Sequence, residues 1–368
     1  MPAIALATAL RSTDPSGELL LVGRRGGMEE LLVPAAGLPL TTLPVRGIDV
    51  SRPLHTALAL ARLPFNIASA RRVVRRFAPD VVVGAAGYVC VPVVLAARTL
   101  GIPVVLMEQN AFPGRAIRRL SRRAHAVAAS FSTTAALLPR ARVVHTGNPI
   151  RPEILAELPA PLPEAPSHLL VMGGSQGAKR INDAVLGVLR GLLEAHPRLR
   201  VTHSCGSRDA DWVLPARAGL PDELRARYDV APFFNDIAER IAASDMVLMR
   251  AGGSSIAEVA ALGRPMVLVP YPYAGGHQQY NAQPMVDLGA ANLVPDEELS
   301  AVRLRAEVEA LLADPRAWRR MADASRAAGR PDAHLLDVGR ARVARRRRDR
   351  VGPDDLDGVL PPQAQGPR

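Results

Sequence analysis

SHLLVMGGSQGAKRIND (residues 167–183) runs from a short apolar stretch through a glycine turn into a helical pattern. A strand feeding directly into a helix is half of a βα unit. Gly173, Gly174 and Gly177 permit a tight backbone at the junction, and Ser175 and Gln176 offer side-chain donors. A helix start also presents free N–H groups and its positive dipole end to an anion. The spacing is neither GxGxxG nor a Walker loop. A glycine-rich turn after a strand is often just a tight connection, so phosphate binding and a structural turn both stay open here.

The same alternation extends outward in both directions. ELLLVG (18–23), DVVVGA (80–85), IPVVLME (102–108) and ARVVHTG (141–147) read as strands on one side, and RVTHSCG (200–206), DMVLMR (245–250) and PMVLVP (265–270) on the other. Ala/Leu/Arg-rich segments of helical period separate them, which predicts parallel sheet. The proline-rich LPAPLPEAP (158–166) interrupts the pattern. The reading is α/β, with two doubly wound domains over 1–150 and 167–339, a linker at 151–166 and a tail at 340–368. Ligands of such folds bind outside the carboxyl ends of the strands, which predicts a site in the cleft between domains.

Composition narrows the function classes. The 368 residues are 48% hydrophobic and 22% charged, ample for sizeable cores and incompatible with wholesale disorder. Cys90 and Cys205 form no CxxC pair and have no His cluster at ligand spacing, so neither a disulfide framework nor a metal site is expected. The reading is a reduced, cytosolic environment. No window holds the 18 or more consecutive apolar residues that a spanning helix needs. The net charge of +11 is concentrated at 340–350 (RARVARRRRDR), ahead of a Pro/Gly/Asp-rich end that reads as disordered. With aromatics at only 4%, nucleic acid is not expected as a partner.

Two further segments carry chemistry. In MRAGGSSIAEVAALGRPMVLVPYP (249–272) Gly252 and Gly253 expose backbone donors at a helix start, and Glu258 follows about one turn in. A carboxylate there can accept both hydroxyls of a ribose or only complement the helix dipole. In GGHQQYNA (275–282), Gln278 and Asn281 lie three apart and face one sugar if the loop opens a helix. His277 suits acid/base work or a plain surface position. A third stretch, Leu54, Leu58, Leu60, Leu63, Phe65 and Ile67 among Arg52, His55, Arg62, Arg71, Arg72, Arg75 and Arg76, suits either an interfacial patch or a core-facing helix with a basic outer face.

Taken in order, MEQNAFPG (107–114), GNPIR (147–151), GGSQGA (173–178), RAGGSSIAE (250–258) and HQQYNA (277–282) resemble the peptidoglycan UDP-N-acetylglucosamine transferases of glycosyltransferase family 28. The likeness runs from residue 2 to about 335 with the motifs in family order. It implies a GT-B fold and inverting transfer of N-acetylglucosamine from the UDP-sugar to lipid I, giving lipid II, by a peripheral protein on the cytoplasmic side of the cell membrane. It implies no metal or other cofactor. Carried over by motif, Asn110 and Arg151 contact the donor, Ser175 the diphosphate region and Glu258 the ribose. Gly253, Ser254, Ser255 and Ile256 line the nucleotide, Phe234 flanks uracil through its backbone, and Gln278 with Asn281 holds the sugar.

On the acceptor side the resemblance implies roles for Gly84, Gly87 and Tyr88, in a loop where Ala85 and Ala86 replace the family's usual residues. It also implies that the patch at 52–76 meets an anionic membrane surface. The family's first strand and GGTGGH loop, with the His proposed as general base, have no counterpart here, because Met1 stands where that loop should already have ended. The expectation is an earlier native start or a truncated UDP-sugar-binding relative with impaired catalysis. A transferase acting on another lipid acceptor is the remaining alternative.

Overall fold

The computed structural model describes residues 2–45, 53–273 and 276–333. The chain divides into two units, one built on Met1–Gln109 and Pro113–Pro149 and the other on Ile150–Pro331 together with Asn110–Phe112.

In the first unit, strands β1 (Leu21–Arg24) and β2 (Leu40–Leu43) pair in parallel as a two-stranded sheet. Strands β3 (Val82–Gly84), β4 (Val104–Glu108), β5 (Ala126–Ala129) and β6 (Val143–His145) form a second parallel sheet in that order. The helix Pro2–Thr13 packs against both. Its Leu6 and Leu10 meet Met107, Ala128 and Val83, while Ile4 and Ala7 meet Val33, Leu38, Leu21 and Leu40.

The second unit carries one six-stranded parallel sheet. Strands β7 (His168–Met172), β8 (Arg200–Ser204), β9 (Tyr228–Ala231), β10 (Met246–Met249), β11 (Met266–Leu268) and β12 (Ala291–Leu293) lie in the order β12-β11-β10-β7-β8-β9. Side-chain alternation assigns each face. Leu169, Val171, Met246, Leu248 and Val267 pack with the helices Lys179–Ala195 and Ala301–Ala313, whereas Leu170, Val247, Met249, Met266 and Leu268 pack with Gly253–Ala261 and His277–Asp287. Continuous apolar strands are what two covered faces require. Sheet order reverses between β7 and β10, so the chain leaves their carboxyl ends through loops 173–178 and 250–253 toward opposite faces of the sheet.

Strands β2, β5, β9 and β12 fall in LTTL, AVAA, YDVA and ANL, which carry little strand signal of their own and are drawn into the sheets by pairing with stronger neighbours. The stretch read as a linker is packed rather than loose. Ala160 is buried in the second unit's core, Arg264 donates to the carbonyls of Pro161 and Ala242, and Arg319 and Arg326 donate to those of Pro163 and Ala160.

Helix Leu63–Phe77 buries Asn66, Ala70 and Val74 at i, i+4 spacing and turns Phe65, Arg71, Arg72, Arg75 and Arg76 outward. The core-facing stripe and the basic outer face therefore lie on opposite sides of one helix. Leu58 is exposed too. Arg52 and the side chains of Leu54, His55 and Leu60 lie outside the described residues, as does the arginine-rich tail.

The loop after β3 explains its glycines. A Cβ on Gly84 would lie 2.6 Å from Cys90 Sγ and 2.9 Å from Leu106 Cδ2. Gly87 has φ +78°, and its neighbour Ala86 has φ +63°, a left-handed conformation that costs an alanine about 1 kcal/mol. Tyr88 is half exposed. Cys90, buried against this loop, has its thiol pushed up to about 12 and is no nucleophile at neutral pH. Ala86→Gly is expected to raise the urea midpoint of unfolding by relieving up to about 1 kcal/mol of strain. Gly84→Ala should lower the midpoint, through an overpacking loss of about 1–3 kcal/mol in stability. An Ala86→Gly midpoint at or below the parent value would show that the left-handed turn stores no strain.

Candidate active site

The loop after β7 and the loop after β8 are pressed together. Gly174, Gly177 and Gly206 all have positive φ. A Cβ on Gly206 would sit 1.9 Å from Gly177 N, and one on Gly177 would sit 2.6 Å from the Cys205 carbonyl, so neither position admits a side chain. Ser207 donates to the Ser175 carbonyl from both N (3.2 Å) and Oγ (3.3 Å). Gly173 is buried, while Gly174, Ser175 and Gln176 are exposed at the mouth of the turn. The loop opens the helix Lys179–Ala195, whose first N–H groups have no acceptors within the helix.

A buried polar chain lies beneath these loops. Asn182 Nδ2 donates to the Cys205 carbonyl at 2.9 Å and to Asp209 Oδ2 at 2.8 Å. Its Oδ1 lies 2.8 Å from His203 Nε2, and His203 Nδ1 lies 2.9 Å from the Tyr228 hydroxyl. Burial pushes His203 down to about 4, so the imidazole is neutral at neutral pH. Asn182, His203, Asp209 and Tyr228 are not singled out by the sequence. The signal present was a histidine inside RVTHSCG, an otherwise strand-like run where an inward imidazole needs partners on both nitrogens.

The loop after β10 leads into the helix Gly253–Ala261, which starts beyond Gly252. Gly253 and Ile256 are buried, and Ser254 and Ser255 are half-buried. Arg151 and Glu258, both assigned to the donor by motif, meet in a two-pronged ion pair. Nε donates to Oε1 at 2.6 Å and Nη2 to Oε2 at 2.9 Å. Glu258 is buried, and the forked guanidinium holds its carboxylate rigid while each oxygen keeps acceptor capacity for a further hydroxyl.

The HQQYNA segment opens the helix His277–Asp287 as expected, with a correction at Asn281. Asn281 is fully buried, its Oδ1 accepts from Ala111 N at 2.8 Å, and its Nδ2 donates to Asn110 Oδ1 and the Ala251 carbonyl, each at 3.1 Å. Both amide hydrogens are spent on protein acceptors, so Asn281 holds Asn110 in place rather than facing a sugar. Gln278 Oε1 accepts from Tyr271 N at 2.9 Å. His277 is half-buried beside Phe112, ring centroids 5.6 Å apart, and Phe112 packs on Tyr280 at 4.9 Å. The Phe234 ring is buried under the Arg240 guanidinium at 3.7 Å, which leaves only its backbone for a base. Arg250 binds Asp296 at 2.5 Å and the Val269 carbonyl at 3.1 Å, bracing the loop from behind.

Among the described residues no group of three or more His, Cys, Asp or Glu is placed to hold a metal ion.

Paired glycine loops at a sheet's reversal point and a clamped carboxylate define a nucleotide-sugar-dependent transferase of the GT-B fold. Residues 1–129 match the glycosyltransferase family 28 N-terminal domain and residues 168–335 the glycosyltransferase family 28 C-terminal domain. The chain belongs to glycosyltransferase family 28. It is 41% identical over 349 residues to the UDP-N-acetylglucosamine–N-acetylmuramyl-(pentapeptide) pyrophosphoryl-undecaprenol N-acetylglucosamine transferase of Desulforudis audaxviator, covering 92% of this chain and 93% of that one. The enzyme of the same name from Moorella thermoacetica is 40% identical over 347 residues, 90% of this chain and 92% of that one. The crystal structure of Acinetobacter baumannii MurG superposes with a TM-score of 0.74 at 26% identity, over 93% of this chain and 95% of that chain. A Neisseria meningitidis UDP-GlcNAc 2-epimerase bound to UDP-GlcNAc shares the fold, with a TM-score of 0.64 at 15% identity, over 92% of this chain and 95% of that chain.

His203 sets a pH dependence. Its folded value lies below the unfolded 6.5, so the unfolded chain binds the extra proton between the two. Stability is fully present above pH 6.5 and falls as pH drops toward about 4, by about 3 kcal/mol for a shift of this size. Thermal melts from pH 7.5 to 4 should show this loss, and His203→Gln should reduce it, leaving the part due to His168, which burial also pushes down. An equal slope in parent and variant would assign the loss to other groups.

Proposed function

We propose that this chain transfers N-acetylglucosamine, with inversion, from UDP-N-acetylglucosamine to undecaprenyl-pyrophosphoryl-N-acetylmuramyl-pentapeptide (lipid I), forming lipid II for peptidoglycan. The observation that carries the reading is the pair of glycine loops beside β7 and β10 with Glu258 clamped by Arg151. In this reading Glu258 accepts the ribose hydroxyls, and Arg151 fixes its rotamer. Gly253 to Ile256 line the nucleotide, and the backbone at Phe234 flanks the uracil. The diphosphate rests on Gly173, Gly174, Ser175, Gln176 and Gly177 at the positive end of the helix Lys179–Ala195. Backbone donors already aimed at the leaving diphosphate stabilise its developing charge without reorganising. Asn110, oriented by Asn281, and Gln278 face the sugar, and Gly84, Gly87 and Tyr88 serve the acceptor side.

The protein works as a peripheral protein on the cytoplasmic side of the cell membrane. No helix among the described residues is long and apolar enough to cross a membrane. What supports surface attachment is the outward face of Leu63–Phe77, where Phe65 stands among Arg71, Arg72, Arg75 and Arg76 with Leu58 nearby in sequence. Each arginine close to an anionic surface contributes about 1 kcal/mol.

The test is transfer of labelled sugar from UDP-N-acetylglucosamine to a lipid I analogue by the purified chain. Product is expected, and Glu258→Gln should raise the donor KM about tenfold or more, the loss of about 1.4 kcal/mol of ribose contact. Donor binding with no turnover on lipid I would favour a UDP-sugar-binding relative, and turnover only on another lipid would reassign the acceptor. For the membrane face, Phe65→Asp with Arg72→Glu and Arg76→Glu should cut sedimentation with anionic vesicles tenfold or more. Unchanged sedimentation would remove this helix from the membrane contact.

A further inference from the structure

The buried chain beneath the glycine loops has a fixed hydrogen-bond polarity. Asn182 Nδ2 faces two acceptors, the Cys205 carbonyl and Asp209 Oδ2, so the amide can stand only one way round, with Oδ1 toward His203. Because Oδ1 accepts, His203 Nε2 must carry the proton, which leaves Nδ1 as an acceptor for the Tyr228 hydroxyl. His203 is fully buried and Tyr228 nearly so, and an unpartnered polar group there is costly to keep. The order Tyr228→His203→Asn182→Cys205 is therefore determined at every link.

The last link acts on the loop itself. Asn182 grips the Cys205 carbonyl and Asp209, the two groups that a side chain on Gly177 would strike, and Gly206 stands against Gly177 N. The position of the 205–209 loop thus sets the position of the 173–177 loop, with Ser207 tying it to the Ser175 carbonyl from the other side. We propose that Tyr228, His203 and Asn182 form a directional relay that holds the 173–177 loop in the geometry its diphosphate ligand requires, making His203 and Tyr228 positioning residues for donor binding. This rests on the assignment of that loop to the donor diphosphate.

The relay acts on the phosphates and not on the base, which separates it from a general loss of folding. Titration calorimetry on the full chain with UDP and with uridine reads the two contributions independently. His203→Phe, close in shape but without ring nitrogens, should weaken UDP about tenfold while uridine changes less than twofold. His203→Gln, whose amide can again donate to Asn182, should recover most of the UDP affinity. Tyr228→Phe deletes a single hydroxyl and keeps the core volume, so it remains informative if His203→Phe does not fold. It should weaken UDP about threefold, again sparing uridine. Parallel loss of UDP and uridine, or unchanged UDP affinity in the folded variants, would overturn the relay. A parent chain that binds neither UDP nor UDP-N-acetylglucosamine would overturn the functional reading and, with it, the assignment of the loop.

Discussion

Strand β7 is the constraint on which the second unit depends. It pairs with β8 along one edge and β10 along the other, and is covered on both faces. A strand so enclosed has no solvent to satisfy its backbone, so all its donors and acceptors must be met within the sheet. The chain leaves β7 and β10 toward opposite faces, and the two helix starts are brought side by side by that reversal alone. Crowding then requires glycine at 177 and 206, since a Cβ on Gly177 would stand 2.6 Å from the Cys205 carbonyl and one on Gly206 would stand 1.9 Å from Gly177 N.

Buried polar side chains complete what the sheet begins. Asn281 satisfies the backbone of Ala111 and Ala251 and orients Asn110, so one amide ties three chain segments together. The Arg151 pair does the same for Glu258. A buried ion pair is weak evidence of net stability, because desolvation offsets much of its attraction. Its consequence here is orientation: the guanidinium fork fixes the direction of both carboxylate oxygens. The Tyr228–His203–Asn182 chain extends this logic beneath the 173–177 loop, with a hydrogen-bond polarity fixed at each link.

The first unit is organised differently. Its parallel strands form two sheets rather than one, and the helix Pro2–Thr13 spans them with residues on two faces, Leu6 and Leu10 toward one and Ile4 and Ala7 toward the other. The loop after β3 keeps a left-handed turn even though alanine occupies position 86, beside a close approach at Gly84 that leaves no room for a Cβ. The basic helix 63–77 buries an i, i+4 stripe and presents arginine outward, so a single amphipathic period serves core and surface at once.

Sequence alone determined the α/β alternation, the two-part organisation and the positions of the glycine motifs, because apolar runs and glycine turns are local signals that each segment carries by itself. Strands such as AVAA at 126–129 and ANL at 291–293 were illegible for the opposite reason: they are strands through their neighbours' hydrogen bonds. The roles inside the site divide along the same line. Glu258 and Gln278 stand out in their motifs by residue type and spacing, whereas the capture of Asn281 by Ala111, Asn110 and Ala251, across 30 to 171 positions of chain, has no local signal. Nor could the histidine of RVTHSCG be read as more than a strand residue. Which buried polar atoms meet is decided by which donors the packing leaves unsatisfied, and only the assembled tertiary structure sets that.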